Sequence, residues 1–69
     1  MFEIKISVTN AQQYQRAKHV QQHIEEFAYG LNGVYITIFD SEVADIDYPA
    51  KYQHEPAMMQ IFNYVMQEN

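Results

Sequence analysis

Two histidines and a glutamate are the residues of this chain whose types and spacing come nearest to a metal or catalytic site. His19 and His23 are four positions apart, so a helix would place both imidazoles on one face, with Glu26 three residues further on. Protein zinc sites use three or four strong ligands, and this set lacks a third one. The default interpretation is two solvated histidines on an exposed helical face.

The other residue types form no pattern typical of an enzyme. His54 is a candidate general base, but nothing in the sequence places a reacting group beside it. No serine sits in a nucleophile elbow, the two glycines are too few for a phosphate-binding loop, and no carboxylate pair lies in an apolar setting. The absence of cysteine excludes disulfides and thiolate metal sites. We expect a non-enzymatic protein with no cofactor and no bound metal.

The acidic residues are concentrated in one short segment. The 69-residue chain has a net charge of −5 at pH 7, and all of it belongs to residues 33–69. Four acids lie between positions 40 and 47: Asp40, Glu42, Asp45 and Asp47. Their spacing is not that of an EF-hand loop, which also needs a turn glycine. The segment is either a hairpin or loop with solvated charges that prevent wrong strand pairing, or a contact surface that attracts a basic partner.

Aromatic side chains accompany the acidic segment on both sides. Rigid rings beside a charged rim are typical of protein interfaces, because they bury a large area at a small cost in entropy. We therefore predict a partner-binding surface composed of Tyr35, Phe39, Asp40, Glu42, Asp45, Asp47, Tyr48 and Tyr52. The alternative is that the second helix or the loop covers these rings.

The charge distribution also argues against nucleic-acid and membrane partners. Aromatic residues on an open sheet face stack bases in RNA-recognition modules, but here no Lys or Arg occurs between positions 19 and 50 to hold a phosphate backbone. The chain has no run of 18 apolar residues, and its first five residues lack the basic and apolar segments of a secretory signal. We expect a cytosolic protein that binds neither nucleic acid directly nor membranes.

The elements that would position these residues follow from the hydrophobic pattern. Residues 2–9 alternate between apolar and polar, which is the period of a half-buried strand. Thr9 or Asn10 then offers an N-cap, and the composition favours one helix that continues to Tyr29. Gly30 suits the left-handed conformation that ends a helix.

The second strand is the strongest in the chain. Residues 33–39 are β-branched or aromatic at every position after the glycine, and both faces of the strand are apolar. Val34, Ile36 and Ile38 are expected to face the helices. Tyr35, Thr37 and Phe39 then point to the other side, where a two-layer protein normally meets water. The long helical connection from the first strand suits a right-handed crossover, which would make the two strands parallel.

The last part of the chain contains a short strand and a closing helix. Residues 43–48 are predicted to return as a hairpin on the second strand. Pro56 fits the first turn of a helix in which Met58, Ile61, Phe62 and Val65 form an apolar stripe. The predicted fold is α+β, a small two-layer domain over residues 1–69 with the order β-α-β-(β)-α and two helices on one face of a two- or three-stranded sheet.

Two functions fit these features. The first is a small acidic module that binds a protein with a basic surface and regulates or inhibits it; clustered carboxylates could imitate a phosphate backbone if that partner binds nucleic acid. The second is a structural or accessory homodimer that pairs through the open sheet face and the exposed side of the second helix. Self-association would also stabilise a domain this small, which has no disulfide.

Overall fold

A computed structural model describes residues 2–28 and 30–67 of the chain. The described chain contains three strands, three α-helices and one short 3-10 turn. In chain order they are β1 (Phe2–Val8), α1 (Ala11–Gln22), α2 (Ile24–Phe27), β2 (Val34–Asp40), β3 (Asp45–Asp47), the 3-10 turn (Ala50–Tyr52) and α3 (Pro56–Val65). This order confirms the predicted α+β class.

The three strands form one mixed sheet in the order β2-β1-β3. β1 and β2 are parallel and adjacent, with an uninterrupted register from Phe2 opposite Val34 to Val8 opposite Asp40. The prediction of a parallel pair is therefore confirmed. The backbone N–H of Phe2 donates to the Gly33 carbonyl at 2.8 Å, which joins the start of the two strands.

The third strand exists, but the predicted hairpin is wrong. Asp45–Asp47 pairs antiparallel with β1, with Ile6 opposite Ile46, and lies on the far side of β1 from β2. The Phe2 N–H points toward β2, so the alternating residues Glu3, Lys5 and Ser7 direct their backbone groups to the other side of β1. β3 pairs with part of that side, which would otherwise leave backbone groups without a partner.

The core lies between one face of the sheet and the helices. Nine residues from β1, β2, α1 and α3 form a single cluster, each exposed by 6% or less: Ile4, Ile6, Val8, Ala17, Val20, Ile36, Met58, Ile61 and Val65. Because the buried residues of both strands share one face, α1 and α3 pack on the same side of the sheet. The prediction of two helices on one face is confirmed, as is the Pro56 start of the closing helix.

The first helix is shorter than predicted. Asn10 is its N-cap and accepts a hydrogen bond from the Gln13 N–H at 2.8 Å, but α1 ends at Gln22. His23 has a ψ of 38°, far from the helical value near −42°, and the separate turn α2 follows it. The apolar stripe continues through Ile24 and Phe27 across this break, so the sequence pattern does not mark it. Tyr29, the predicted helix end, lies outside the described residues.

Gly30 adopts the predicted left-handed conformation, but α2 ends at Phe27, three residues before it. Gly30 and Gly33 have φ values of 87° and 70°, in the left-handed region that favours glycine. Both lie in the connection that leads from α2 into β2. Among the helices of the described residues, none is long and apolar enough to cross a membrane.

Candidate functional site

The sheet face opposite the helices is uncovered, and we call it the open face. Side chains alternate between the two faces of a strand, so the register of the three strands defines its members. They are Glu3, Lys5 and Ser7 of β1, Tyr35, Thr37 and Phe39 of β2, and Asp45 and Asp47 of β3. No helix of the described chain packs on this face, since the core cluster lies entirely on the other.

Two aromatic rings stand exposed on the open face. Tyr35 is 48% and Phe39 44% accessible to solvent, although both are large and partly apolar. They are four residues apart on β2, so they lie about 13 Å from each other on the same side. The expectation that Tyr35, Thr37 and Phe39 point away from the helices is confirmed by this register and burial.

Polar groups on the neighbouring strand form a small network. The Thr37 hydroxyl donates a hydrogen bond to the Glu3 carboxylate, whose other oxygen lies 3.9 Å from Lys5 Nζ. Lys5 also stands opposite Asp47 in the β1–β3 register. It is the one cation of the open face, beside three carboxylates, so the face is acidic overall.

The acidic segment divides between two places. Asp45 and Asp47 stand on the open face, exposed, because β3 pairs with β1. Asp40 is the last residue of β2 and belongs to the set of residues that face the helices. Glu42 follows in the loop, and both acids are exposed at the adjoining end of the sheet. The structure therefore places Asp45 and Asp47 on the same face as Phe39 and Tyr35, with β1 between them, and leaves Asp40 and Glu42 at the rim.

The two later tyrosines of the predicted surface lie elsewhere. Tyr48 and Tyr52 are half-buried and pack against the core cluster. The Tyr52 ring stacks on Phe2, with centroids 4.1 Å apart and planes inclined by 18°. Phe2 belongs to the residues of β1 that face the helices, so Tyr52, which stacks on it, does not lie on the open face. The sequence predicted that these two rings belong to the same binding surface as Tyr35 and Phe39, but the structure does not place them together.

The predicted surface omitted polar residues that the sheet places at its centre. Lys5 and Ser7 lie on β1, between the aromatic residues of β2 and the acids of β3, and Thr37 lies between the two rings on β2 itself. The alternation of residues 2–9 contained the signal, since it assigns Lys5 and Ser7 to the polar face. The missing information was that β1 is the middle strand.

A groove runs along the other side of the molecule, between β3 and α3. It encloses about 270 Å³ and is lined by Asp45, Ile46, Tyr48, Met58, Met59 and Phe62. Met59 is 61% exposed there. α3 and the open face lie on opposite sides of the sheet. A homodimer that pairs through both surfaces, as the sequence suggested, would therefore need two separate interfaces.

Another cavity lies at the carboxyl ends of β1 and β2, where open α/β sheets bind ligands. It encloses about 450 Å³ and includes Asn10, Tyr14 and Asp40 in its lining. The Asn10 side chain already caps the first turn of α1, and the Gln13 side chain accepts from the Thr9 N–H at 2.8 Å. The backbone N–H groups of Thr9 and Gln13 are therefore already bonded, and Asp40 adds a negative charge beside them. The cavity offers little to an anionic ligand.

The histidine pair belongs to a cluster of rings. His19 and His23 have centroids 4.5 Å apart, and His19 also lies near Phe27 and Tyr64. His23 Nδ1 is 4.0 Å from the Glu26 carboxylate. Within residues 2–28 and 30–67, no three His, Asp or Glu side chains are arranged to hold a metal ion. His54 is exposed in the turn before α3.

Comparison with protein-family models, curated proteins and solved structures gives no significant match to this chain. The fold and its surfaces are therefore the basis on which a function can be argued. Among these surfaces, the open face combines exposed rings with an acidic balance, and the described helices leave it uncovered.

Proposed function

We propose that this protein is a small acidic, non-enzymatic module that binds a protein with a basic surface in the cytoplasm. The contact surface is the open face together with the rim formed by Asp40 and Glu42. One observation carries the proposal: Tyr35 and Phe39 are exposed on the face that also presents Asp45 and Asp47. Rings of this kind anchor interfaces, and the surrounding charge selects the partner and speeds its capture.

The size of the surface supports including the rim. A stable interface buries about 800 Å² on each partner, which is about one sixth of the 4770 Å² surface of this protein. Two strands about 23 Å long and one about 10 Å long, each about 4.8 Å from the next, give a flat face of roughly 270 Å². The contact must therefore extend past β2 and β3, and the exposed segment 40–43 is an adjoining surface that continues the acidic character.

The charge of the surface favours a partner that carries lysine or arginine. Asp45 and Asp47 are about 7 Å apart along β3, and their pairing partner β1 fixes their spacing. A fixed row of carboxylates is a partial mimic of a phosphate backbone. The sharper form of the proposal is therefore that the partner is itself a nucleic-acid-binding protein, which this module inhibits by occupying its groove.

Capture from the native cell extract, with matched charge variants as bait, tests the proposal. The double variant Asp45→Lys, Asp47→Lys reverses the charge of the open face. Its control is Glu25→Lys, Glu26→Lys, which makes the same change in net charge on the exposed face of α2. A genuine partner is retained by the wild type and by the α2 variant, and lost with the β3 variant.

The purified partner then allows a kinetic test. Association should slow strongly for the β3 variant at low salt, and this difference should shrink as salt screens the charges. Retention of every captured protein by the β3 variant contradicts the proposal. Loss of all of them with both variants shows that capture reflects net charge alone, which also contradicts it.

A further inference from the structure

β2 forms one edge of the sheet, and its outer backbone groups face solvent. The Phe2 N–H donates to the Gly33 carbonyl, and the Ser41 N–H donates to the Val8 carbonyl. The backbone N–H and C=O groups of the odd-numbered residues of β2 therefore point toward β1. The outward N–H and C=O groups belong to Val34, Ile36, Ile38 and Asp40. Among the described residues, one of these groups has a partner: the Ile36 carbonyl accepts from Gln21 Nε2 at 2.8 Å. That oxygen retains a second lone pair.

The two edges of the sheet differ in their protection. β3 has three residues, two of them aspartates, and Pro49 follows shortly after. Short length, charge and proline are the features that keep an edge strand from pairing with another chain. β2 has seven residues, no bulge in its register, and no charge or proline before Asp40. It has none of these protections along six of its seven positions.

We propose that two copies of this chain pair antiparallel through β2, with the two-fold axis at Thr37. The result is a continuous six-stranded sheet in the order β3-β1-β2-β2-β1-β3. This register places Ile36 opposite Ile38 of the second copy, and Val34 opposite Asp40. All four residues with outward backbone groups then lie in hydrogen-bonded pairs, which exchange about eight bonds between the copies.

The side chains of β2 are self-complementary about the same axis. On the open face, Tyr35 stands opposite Phe39 of the second copy, and Thr37 stands opposite itself. These are the close, non-hydrogen-bonded positions of an antiparallel pair, where aromatic pairs and Thr–Thr pairs are favourable. The rings that are 48% and 44% exposed in one copy would each gain a neighbour. A two-fold interface requires such self-complementarity.

The acidic charge does not oppose this pairing. Asp40 is the one charged residue of β2 and stands opposite Val34, so the two Asp40 side chains are six residues apart, or about 20 Å. That distance is more than twice the Debye length of about 8 Å at physiological salt. The aspartates of β3 lie at the two outer edges of the joined sheet. The occupant that fits the β2 edge is therefore a second copy.

Single-cysteine variants test the axis, because the chain has no cysteine of its own. Thr37→Cys places two thiols at a Cα separation of about 4.5 Å, within disulfide range. Ser7→Cys is the matched control: it is also half-buried on the open face, but on β1 and opposite Phe39 instead of Thr37, so it lies about 20 Å from its equivalent in the second copy. Under mild oxidation, Thr37→Cys should form disulfide-linked dimers at least tenfold faster. Equal rates overturn the proposal.

A mixed cross-link tests the register. Tyr35→Cys and Phe39→Cys should each remain monomeric on a non-reducing gel, whereas a mixture of the two should form the mixed disulfide. Efficient cross-linking of Tyr35→Cys with itself would require a parallel arrangement or another axis, and would overturn the proposed register.

Sedimentation equilibrium tests the pairing without cysteines. The wild-type mass should rise from 8.2 kDa toward twice that value with concentration. Thr37→Lys places two ammonium groups opposite each other and should weaken the dimer at least tenfold, while Ser7→Lys should not. Mixing Thr37→Lys with Thr37→Glu should restore a dimer, which also shows that both variants fold. A wild type that stays monomeric at 1 mM, or a dimer weakened equally by Ser7→Lys, overturns the proposal.

Discussion

Replacing Tyr52 by alanine separates a structural ring from a surface ring. The sequence groups Tyr52 with Tyr35, because both are aromatic and near the acidic segment. The structure stacks Tyr52 on Phe2 at 4.1 Å, with Lys51 Nζ 5.1 Å from the Tyr52 ring centroid. Tyr35 is 48% exposed on the open face. Tyr52→Ala should therefore reduce the free energy of unfolding far more than Tyr35→Ala.

The expected size of the effect follows from the packing of each ring. A stacked aromatic pair contributes about 0.5–1.5 kcal/mol beyond its buried area. Tyr52 is mostly buried, whereas Tyr35 is 48% exposed, and burial of most of a large side chain adds about 1–1.5 kcal/mol. Tyr52→Ala should therefore cost about 2 kcal/mol, which lowers Tm by about 8–16 °C in a domain of this length. An exposed substitution such as Tyr35→Ala should stay within about 0.5 kcal/mol.

Thermal unfolding followed by circular dichroism measures both variants. Runs at two protein concentrations tenfold apart reveal any contribution of self-association, since that contribution depends on concentration. Tyr52→Phe is the control, because it keeps the ring and its stack on Phe2 and should lose little. The reasoning is refuted if Tyr52→Ala and Tyr35→Ala lower Tm by the same amount at the lower concentration.

Three further substitutions test the fold. Asn10→Ala removes the α1 cap and should cost about 1 kcal/mol by thermal unfolding, while Asn10→Asp should keep it. Ile61→Ala, at a fully buried position, should cost about 2–5 kcal/mol in urea, and the half-exposed neighbour Phe62→Ala should cost less. Gly30→Ala meets no atom within 4 Å, so a loss of about 1–2 kcal/mol would report the backbone strain at φ 87° alone; equal stability would contradict it.

The faces of the elements were predictable because each depends on local periodicity. The alternation of residues 2–9 and the β-branched run of residues 33–39 separate buried from exposed side chains before any partner is known. The spacing of Met58, Ile61 and Val65 does the same for α3, and all three are buried. The parallel pairing followed from the long helical connection between the two strands, which suits a crossover and is far longer than a hairpin turn.

The strand order was not predictable, because β3 could pair either with the outer edge of β2 or with the free edge of β1. A hairpin between β2 and β3 is the local solution, and residues 43–48 have no feature that distinguishes the two edges. The roles of the tyrosines follow from that order: with β3 beside β1, Asp45 and Asp47 share the open face, while Tyr48 and Tyr52 continue toward the core. One non-local pairing thus divides the predicted surface in two.

The proposed dimer changes what a basic partner would meet. Five strand spacings of about 4.8 Å separate the two β3 strands in the joined sheet, so two acidic rows lie about 24 Å apart with four rings between them. A partner that contacts both rows gains from effective concentration, and its binding should weaken when the dimer does. Thr37→Lys should then reduce retention of the partner, and its mixture with Thr37→Glu should restore it. Retention that is independent of the dimer would show that the partner contacts one copy, with the β2 edge serving self-association alone.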